Sequence, residues 1–475
     1  MANYYEKGQT MSRVHFIAIG GAVMHNLAIV LKKKGYRVSG SDDEIFDPAR
    51  RLLQQHGLLP PETGWFPEKI TPGLEAVILG MHARPDNPEL LRARELGIPL
   101  YSFPEYMFTQ TQNKRRVVIG GSHGKTTVTS LVMHVLKVAG IRFDYLVGAR
   151  LPGFDTMVGL DEKAELAVFE GDEYLSSALD PRPKFHWYRP HTALLTGISW
   201  DHMNVFPTRE EYIGAFRHFI RLIEPGGTLI YFAGDPWLEE ITKEAPEHIT
   251  LIPYQDHPHT TENGHTFLIH NKQQVPVNLF GRHNMENMAG AYRVCRELGI
   301  GNNDFYRAVS TFTGAARRLE KLAENRHTAV YYDFAHAPSK VKATVQAMAT
   351  RYPGRRLFAC LELHTFSSLN PAFLPHYRGT LDMAHRAAVY YNPETVALKK
   401  LPSLLPAQIR EAFGKPGLEV FTSVDSLWNR LQEETWAGRN LLMMSSGNFG
   451  GKDVQKLAGN ITQDKQEAGH NMDLL

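Results

Sequence analysis

Val117–Thr127 reads VVIGGSHGKTT, and this stretch decides how the chain is read. Arg116–Ile119 is apolar enough for a buried strand, and Val128–Val138 carries apolar residues at helical spacing. Between them lies a glycine turn. Gly120, Gly121 and Gly124 let the backbone close around phosphate oxygens, the following helix start presents free N–H groups, and Lys125 adds a mobile positive charge. Thr126 offers a hydroxyl to Mg²⁺. The spacing departs from the general G-x-x-x-x-G-K-S/T pattern, because Ile119 stands at its first glycine. A glycine turn before Lys-Thr also occurs as plain structural punctuation, but a strand and a helix on either side favour a triphosphate cradle.

Upstream, Val14–Ile19 suits a strand, Gly20 and Gly21 a turn, residues from about Met24 to Lys34 a helix, and Tyr36–Gly40 a second strand. Asp42 then stands where an acid meets a ribose in dinucleotide folds. Ala18 and Val23 occupy the outer glycine positions of G-x-G-x-x-G, which argues against a nicotinamide or flavin site. Alternation continues through Ala76–Leu79, Pro88–Leu96 and Pro99–Tyr101 until the polar Gln110–Lys114 interrupts it. After the glycine turn come strands at Ala164–Glu170, His191–Ile198 and Thr228–Phe232, with helices near Thr208–Ile223 and Asn284–Leu298. A second boundary falls near Gly314, and the alternation resumes at Ala329–Tyr332, Ser339–Thr350, Arg356–Leu361, Arg386–Tyr390 and Asn440–Met444. Such alternation implies mostly parallel sheets covered on both faces. The expected fold is α/β with three domains: a Rossmann-like domain over 1–112, a central P-loop parallel-sheet domain over 113–314, and a C-terminal Rossmann-like domain over 315–475. The tail after about Ile461 is polar and expected to fray.

Bulk properties narrow the function classes. A length of 475 residues suits about three domains. Hydrophobic content of 43%, charged content of 21% and a net charge of +2 describe an ordinary globular protein with no electrostatic case for nucleic acid. Only Cys295 and Cys360 occur, so no disulfide framework or cysteine metal site is expected. MANYYEKGQT lacks the apolar core of a secretory signal, and no run of eighteen apolar residues is present. These features lead to the expectation of a cytoplasmic protein without a membrane partner.

Several side chains beyond the turn are suited to chemistry. Glu170, Asp172 and Glu173 follow a strand in LAVFEGDEY, and Asp201-His202 follow another, both at the end of an open α/β sheet where ligands bind. Either group alone also reads as exposed loop acids and a hydrogen-bonded histidine. Together with the phosphate turn, Thr126, Glu170 and His202 make a candidate divalent-metal set. Asn284 and Asn287 share one helix face, suited to a purine edge or, for Asn284, to helix capping. Arg317 and Arg318 in GAARRLE suit a solvated face or charge neutralisation in phosphoryl transfer. Asp333 and His336 in YYDFAHAPSK read as turn residues or as catalytic ones.

The order of these motifs resembles the Mur ligase family, the ATP-dependent amide-forming enzymes of peptidoglycan synthesis, over nearly the whole chain. Gly121-Ser122-His123-Gly124-Lys125-Thr126-Thr127 is similar to the family's phosphate loop, which also lacks the early glycine. Glu170-Gly171-Asp172-Glu173 is similar to its E-A-D-E segment, Asp201-His202 to its D-H pair, and His283-Asn284 with Asn287 to its H-N-x-x-N helix; Arg317-Arg318-Glu320 and Asp333 with Ala335-His336 and Pro338 complete the series. The resemblance implies ATP held by Gly121–Thr127, Asn284, Asn287 and Arg318, and Mg²⁺ held by Thr126, Glu170 and His202. It also implies catalytic roles for Lys125, His202, Asp333, His336 and Arg317.

Within the family, AIGGAVMH and Gly40-Ser41-Asp42 resemble members that bind UDP-N-acetylmuramate itself, implying UDP-sugar contacts from Gly20, Gly21, Ser41, Asp42 and His82. Some such members add L-alanine; others attach the salvaged tripeptide L-alanyl-γ-D-glutamyl-meso-diaminopimelate in murein recycling. Asp172-Glu173-Tyr174, Lys184-Phe185, Tyr188–Thr192 and Met444–Gly451 resemble the tripeptide-attaching members. Departures are Ala22-Val23 in place of a glycine-richer turn, Tyr332 where an acid is common, Ala337 for a second histidine, and LELHTFSSLN over Leu361–Asn370 in place of an arginine-containing loop. Arg217 lies about where some relatives carry a carbamylated lysine, and its guanidinium forms no carbamate. A monomer or weak homodimer is expected. The altered positions keep a non-catalytic UDP-sugar or ATP-binding regulator as the alternative class.

Overall fold

Short apolar runs become strands, and the amphipathic stretches between them become helices, in the computed structural model, which describes residues 12–81, 83–200, 203–262 and 264–463. The N-terminal decapeptide, His82, the Asp201-His202 pair and the tail beyond 463 lie outside the described residues.

The first sheet contains β1 (Arg13–Ile17), β2 (Arg37–Ser41), β3 (Ala76–Leu79) and β4 (Leu100–Ser102), all parallel in the order β2-β1-β3-β4. The second contains β5 (Arg115–Gly120), β6 (Asp144–Leu146), β7 (Val158–Gly159), β8 (Leu166–Glu170), β9 (Thr192–Leu195), β10 (Thr228–Phe232) and β11 (Thr250–Tyr254). Its order is β11-β10-β9-β5-β8-β6-β7, parallel except for the β6–β7 pair, so β5 is the central strand. Val117, Val118 and Ile119 are wholly buried there, as a strand covered on both faces requires.

A small antiparallel sheet follows, of β12 (His259–Glu262), β13 (His265–His270) and β14 (Gln273–Val277). The last sheet holds β15 (Glu320–Glu324), β16 (Ala329–Asp333), β17 (Arg356–Glu362), β18 (Arg386–Tyr390), β19 (Glu419–Phe421) and β20 (Arg439–Met444), in the order β15-β16-β20-β17-β18-β19. Only the β15–β16 pair is antiparallel in it. Strand alternation splits its core in two: Ala329 and Tyr331 pack into one cluster, while Val330 and Tyr332 pack into another. The architecture is α/β with mostly parallel sheets. No helix among the described residues is long and apolar enough to cross a membrane.

The chain gathers into two compact units. One runs up to Ile198 and adds Ile213–Tyr254 and Gly290–Phe305; the other holds Ser199–Tyr212, Gln255–Ala289 and the chain from Tyr306 onward.

Two expectations are corrected. The polar break at Gln110–Lys114 is shorter than the sequence suggests, because Gln110 and Thr111 end a helix, Phe103–Thr111. That helix starts with the Ser102 N–H donating to the Glu105 carboxylate at 3.2 Å and with Pro104 in its first turn, signals that its mixed apolar spacing hid. The β12–β14 sheet was not anticipated either: HTFLIH and QQVPV are half-exposed strands with weak alternation.

Arg116 ties this junction together. Its side chain is buried in β5 and donates to the carbonyls of Thr111, Gln112, Lys114, Tyr188 and Arg189, while pairing with Glu224 at 3.2 Å. Only a guanidinium fork supplies that many directed donors. Replacing Arg116 with Met strands these acceptors and is expected to cost on the order of 3 kcal/mol in denaturant unfolding. Arg116→Lys should recover only a minor part of that loss, since an ammonium offers fewer donors.

Candidate functional site

β5 ends at the centre of its sheet, and the chain must then turn sharply before the helix Lys125–Val138. Gly121 does so at φ +121°, and Gly124, the residue before the helix, at φ +69°. A Cβ on Gly121 would run into Thr196 Oγ1 and lie 2.8 Å from the Thr196 nitrogen. The turn is pinned from the neighbouring strand: Ser122 N donates to Gly197 O at 2.9 Å, and the Thr196 hydroxyl donates to His123 O. This aims the first turn of the helix, with Lys125, Thr126 and the buried Thr127, across the carboxyl ends of β5 and β8.

Carboxylates at the end of β8 meet that turn. Glu170 Oε1 accepts from the Thr126 hydroxyl at 2.8 Å, and Oε2 from Gly148 N at 2.6 Å. Lys125 Nζ reaches Glu173 Oε2 at 2.6 Å and Gly121 O at 2.7 Å; Lys184 pairs with Asp172 at 2.6 Å. Burial alone would lower the Lys125 pKa, but Glu173, Asp172 and Glu170 outweigh it and hold the ammonium above the usual lysine value. Asp172 is drawn below the ordinary carboxylate range, burial being overcome by Lys184 and Lys125. Glu173 and Lys184 are partners that sequence reasoning did not assign.

The donor set suits a hard cation beside phosphates. Mg²⁺ uses one or two carboxylates plus phosphate oxygens rather than an all-protein cage, and Thr126 with Glu170 supplies oxygen ligands side by side. Among the described residues, no cluster of three or more His, Cys, Asp or Glu side chains forms a self-sufficient metal site.

In the first sheet, Asp42 Oδ2 accepts from Gly20 N at 2.7 Å, whereas Oδ1 is buried with no partner. Ser41 is buried, and its hydroxyl accepts from Lys69 Nζ at 3.1 Å. Lys69 was not foreseen, since it lies far along the chain. Burial, with Asp43 adding to it, pushes Asp42 up to about 6 against the Gly20 bond.

The second unit gathers the remaining candidates. Asn284 lies inside the helix Arg282–Glu297 rather than capping it; its amide donates to Phe280 O at 2.9 Å and its oxygen accepts from Asn287 at 3.2 Å. Asp333, at the end of β16, receives Leu319 N and Ala335 N, each at 2.6 Å, and so clamps the RRLE segment. Burial raises the Asp333 pKa, opposed by Arg318 and these two bonds. Arg317 Nη2 donates to the Tyr332 hydroxyl at 2.6 Å, while Arg318 lies over the Phe334 ring at 4.5 Å. Tyr332, the departure noted in the sequence, is thus the partner of the first arginine. His336 Nδ1 lies 2.9 Å from Phe334 O, and its carbonyl accepts from Tyr377.

Comparison with known proteins identifies the family. The model of the Mur ligase family, catalytic domain, matches residues 13–115, and that of the Mur ligase middle domain matches 119–295. The UDP-N-acetylmuramate–L-alanine ligase of Arthrobacter sp. is 30% identical over 391 residues, covering 80% of this chain and 81% of that one. The chain belongs to the Mur ligase family. As a Mur ligase it is an ATP-dependent enzyme that forms amide bonds. The UDP-N-acetylmuramate–L-alanyl-γ-D-glutamyl-meso-2,6-diaminoheptandioate ligase of Escherichia coli is 28% identical over 460 residues, 94% of this chain and 98% of that one. In fold, the murein peptide ligase of Psychrobacter arcticus superposes with a TM-score of 0.66 at 24% identity, covering 95% and 99% of the two chains.

Two outcomes follow from the geometry. Gly121→Ala should lose roughly 1–3 kcal/mol to backbone strain alone and stop ADP release, read by thermal denaturation and a coupled assay. Asp42 holds its proton in the folded chain up to about pH 6, against an unfolded carboxyl near 4. Its stabilisation is therefore full below about pH 4 and fades as pH rises to about 6. Asp42→Asn should flatten that decline in unfolding measured across the window.

Proposed function

We propose that this Mur ligase joins UDP-N-acetylmuramate to the tripeptide L-alanyl-γ-D-glutamyl-meso-diaminopimelate, in murein peptide recycling. The observation that carries the reading is the paired charge around the phosphate turn, Lys125 with Glu173 and Lys184 with Asp172. Asp172, Glu173 and Lys184 lie in segments that resemble the tripeptide-attaching members, whereas Lys125 belongs to the phosphate loop common to the family. The organisation proposed is three domains, bounded near 112/113 and 314/315, that bind UDP-sugar, ATP and acceptor in chain order.

On this reading the lactyl carboxylate of UDP-N-acetylmuramate attacks the γ-phosphate of ATP, releasing ADP and leaving an acyl phosphate. A free carboxylate is a poor acyl donor, and the phosphate becomes the leaving group when the peptide's α-amine attacks. Gly121–Thr127 holds the ATP phosphates through backbone N–H groups, and Lys125 leaves Glu173 to meet their charge. Arg317 and Arg318 offset charge in phosphoryl transfer, with Asp333 and His336 near the reaction centre. Lys125 also stabilises the tetrahedral anion. Thr126, Glu170 and His202 would hold Mg²⁺, which supplies charge neutralisation at the phosphates. Asn284 and Asn287 serve the adenine. Gly20, Gly21, Ser41, Asp42 and His82 serve the UDP-sugar; the unpartnered Asp42 Oδ1 suits a ligand hydroxyl donor, and Lys69 a ligand anion. Excluding water from the acyl phosphate is essential, because hydrolysis competes with amine attack.

A second reading is L-alanine as acceptor. It is favoured by the 30% identity to an L-alanine ligase and by the arginine-free Leu361–Asn370 loop. Incubation with ATP, Mg²⁺ and UDP-N-acetylmuramate, offering tripeptide or L-alanine in turn, decides by product mass. The tripeptide adduct is expected; an L-alanine adduct alone would overturn the first reading. Lys125→Ala should abolish ADP release while keeping the folded circular-dichroism spectrum, and normal turnover in it would remove the phosphate turn from the mechanism.

A further inference from the structure

A cavity of about 410 Å³ lies within the second unit, outside every residue assigned above to the reaction. Its walls are Phe280–His283 and Glu286, the later turns of the helix Pro338–Arg351, and strands β12 and β13. The volume is that of a small-molecule pocket rather than a packing defect. Gly281, at φ +85°, closes one corner, where a Cβ would sit 2.6 Å from that of Ala347.

Two polar groups on its lining are left unsatisfied. Thr266 is 2% exposed, yet its hydroxyl oxygen has no hydrogen-bond partner. Arg351 holds its guanidinium 5.0 Å from the centre of the Phe280 ring, and its Nη1 is buried without an acceptor. A buried guanidinium N–H with no acceptor is expensive, and such a group calls for a bound water or ion. The cavity's acid does not answer it: Glu286 faces Arg282 at 3.4 Å. Burial also raises the Glu286 pKa, and it pushes His283 down to about 4, so that histidine is neutral at pH 7. Arg351 is therefore the positive charge left to be met.

We infer that this cavity is a second ligand site, which binds a small organic anion through a carboxylate or phosphate on Arg351 and Thr266, its apolar body resting on Phe280 and Ala347. It shares no residue with the phosphate turn and does not depend on which acceptor the enzyme uses.

Calorimetric titration of the whole chain, without nucleotide, with phenyl phosphate and with benzoate tests this, benzyl alcohol being the uncharged control. Saturable binding of at least one anion is expected, and the tighter arm identifies the anionic group. Arg351→Gln should weaken it roughly tenfold, the value of a charged hydrogen bond. Ala343→Leu, which fills the cavity from its partly exposed rim, should weaken it as well and serves if Arg351→Gln does not fold. Lys125→Ala should leave binding unchanged. The inference is overturned if neither anion saturates, if benzyl alcohol binds equally well, if binding survives both cavity variants, or if Lys125→Ala removes it.

Discussion

Residue 121 must hold a backbone angle that side chains avoid, at the end of the central strand of its sheet. The first unit's chemistry depends on that turn. Because Gly121 packs without a Cβ against Thr196, the chain reverses within a few residues and the next helix starts beside the carboxyl end of β8. Any longer turn would carry Lys125 and Thr126 away from Glu170 and Glu173. The central place of β5 makes the geometry stiff, since both neighbouring strands hold its register.

Around this turn the charges are matched in advance. Lys125 is paired with the buried Glu173 and Asp172 with Lys184, so neither strong charge is left uncompensated. The carboxylates beside Lys125 outweigh the cost of its burial, which is how this ammonium stays charged. Asp333 works differently. Both its oxygens are engaged by backbone N–H groups, which makes the carboxylate a brace for the arginine pair.

Burial with a partner and burial without one mark different things in this molecule. Arg116 is buried and fully engaged, which fits a structural clasp. Arg351 is buried at one nitrogen and unengaged, as a binding site awaiting an anion would be. Asp42 lies between the two, one oxygen on the glycine turn and one open to a donor.

Local chemistry made much of the fold readable from the chain. Ala76–Leu79, Thr228–Phe232 and Arg386–Tyr390 are strands within the residues their apolar runs indicate, because a strand buried on both faces has little choice of composition. The glycine turn is similarly local, since its φ angles demand glycine. The helix Phe103–Thr111 and the sheet β12–β14 escaped, one for its mixed spacing and the other for its half-exposed, weakly alternating strands. Pairings across long separations were beyond the sequence: Ser41 with Lys69, Arg317 with Tyr332, Lys125 with Glu173, and the buried Nη1 of Arg351. Sequence alone determined most of the strands, turns and helices, because hydrophobic period and backbone sterics act over a few residues. Only the tertiary structure decided which charges meet and which stay unmet, because that depends on where distant segments are buried together.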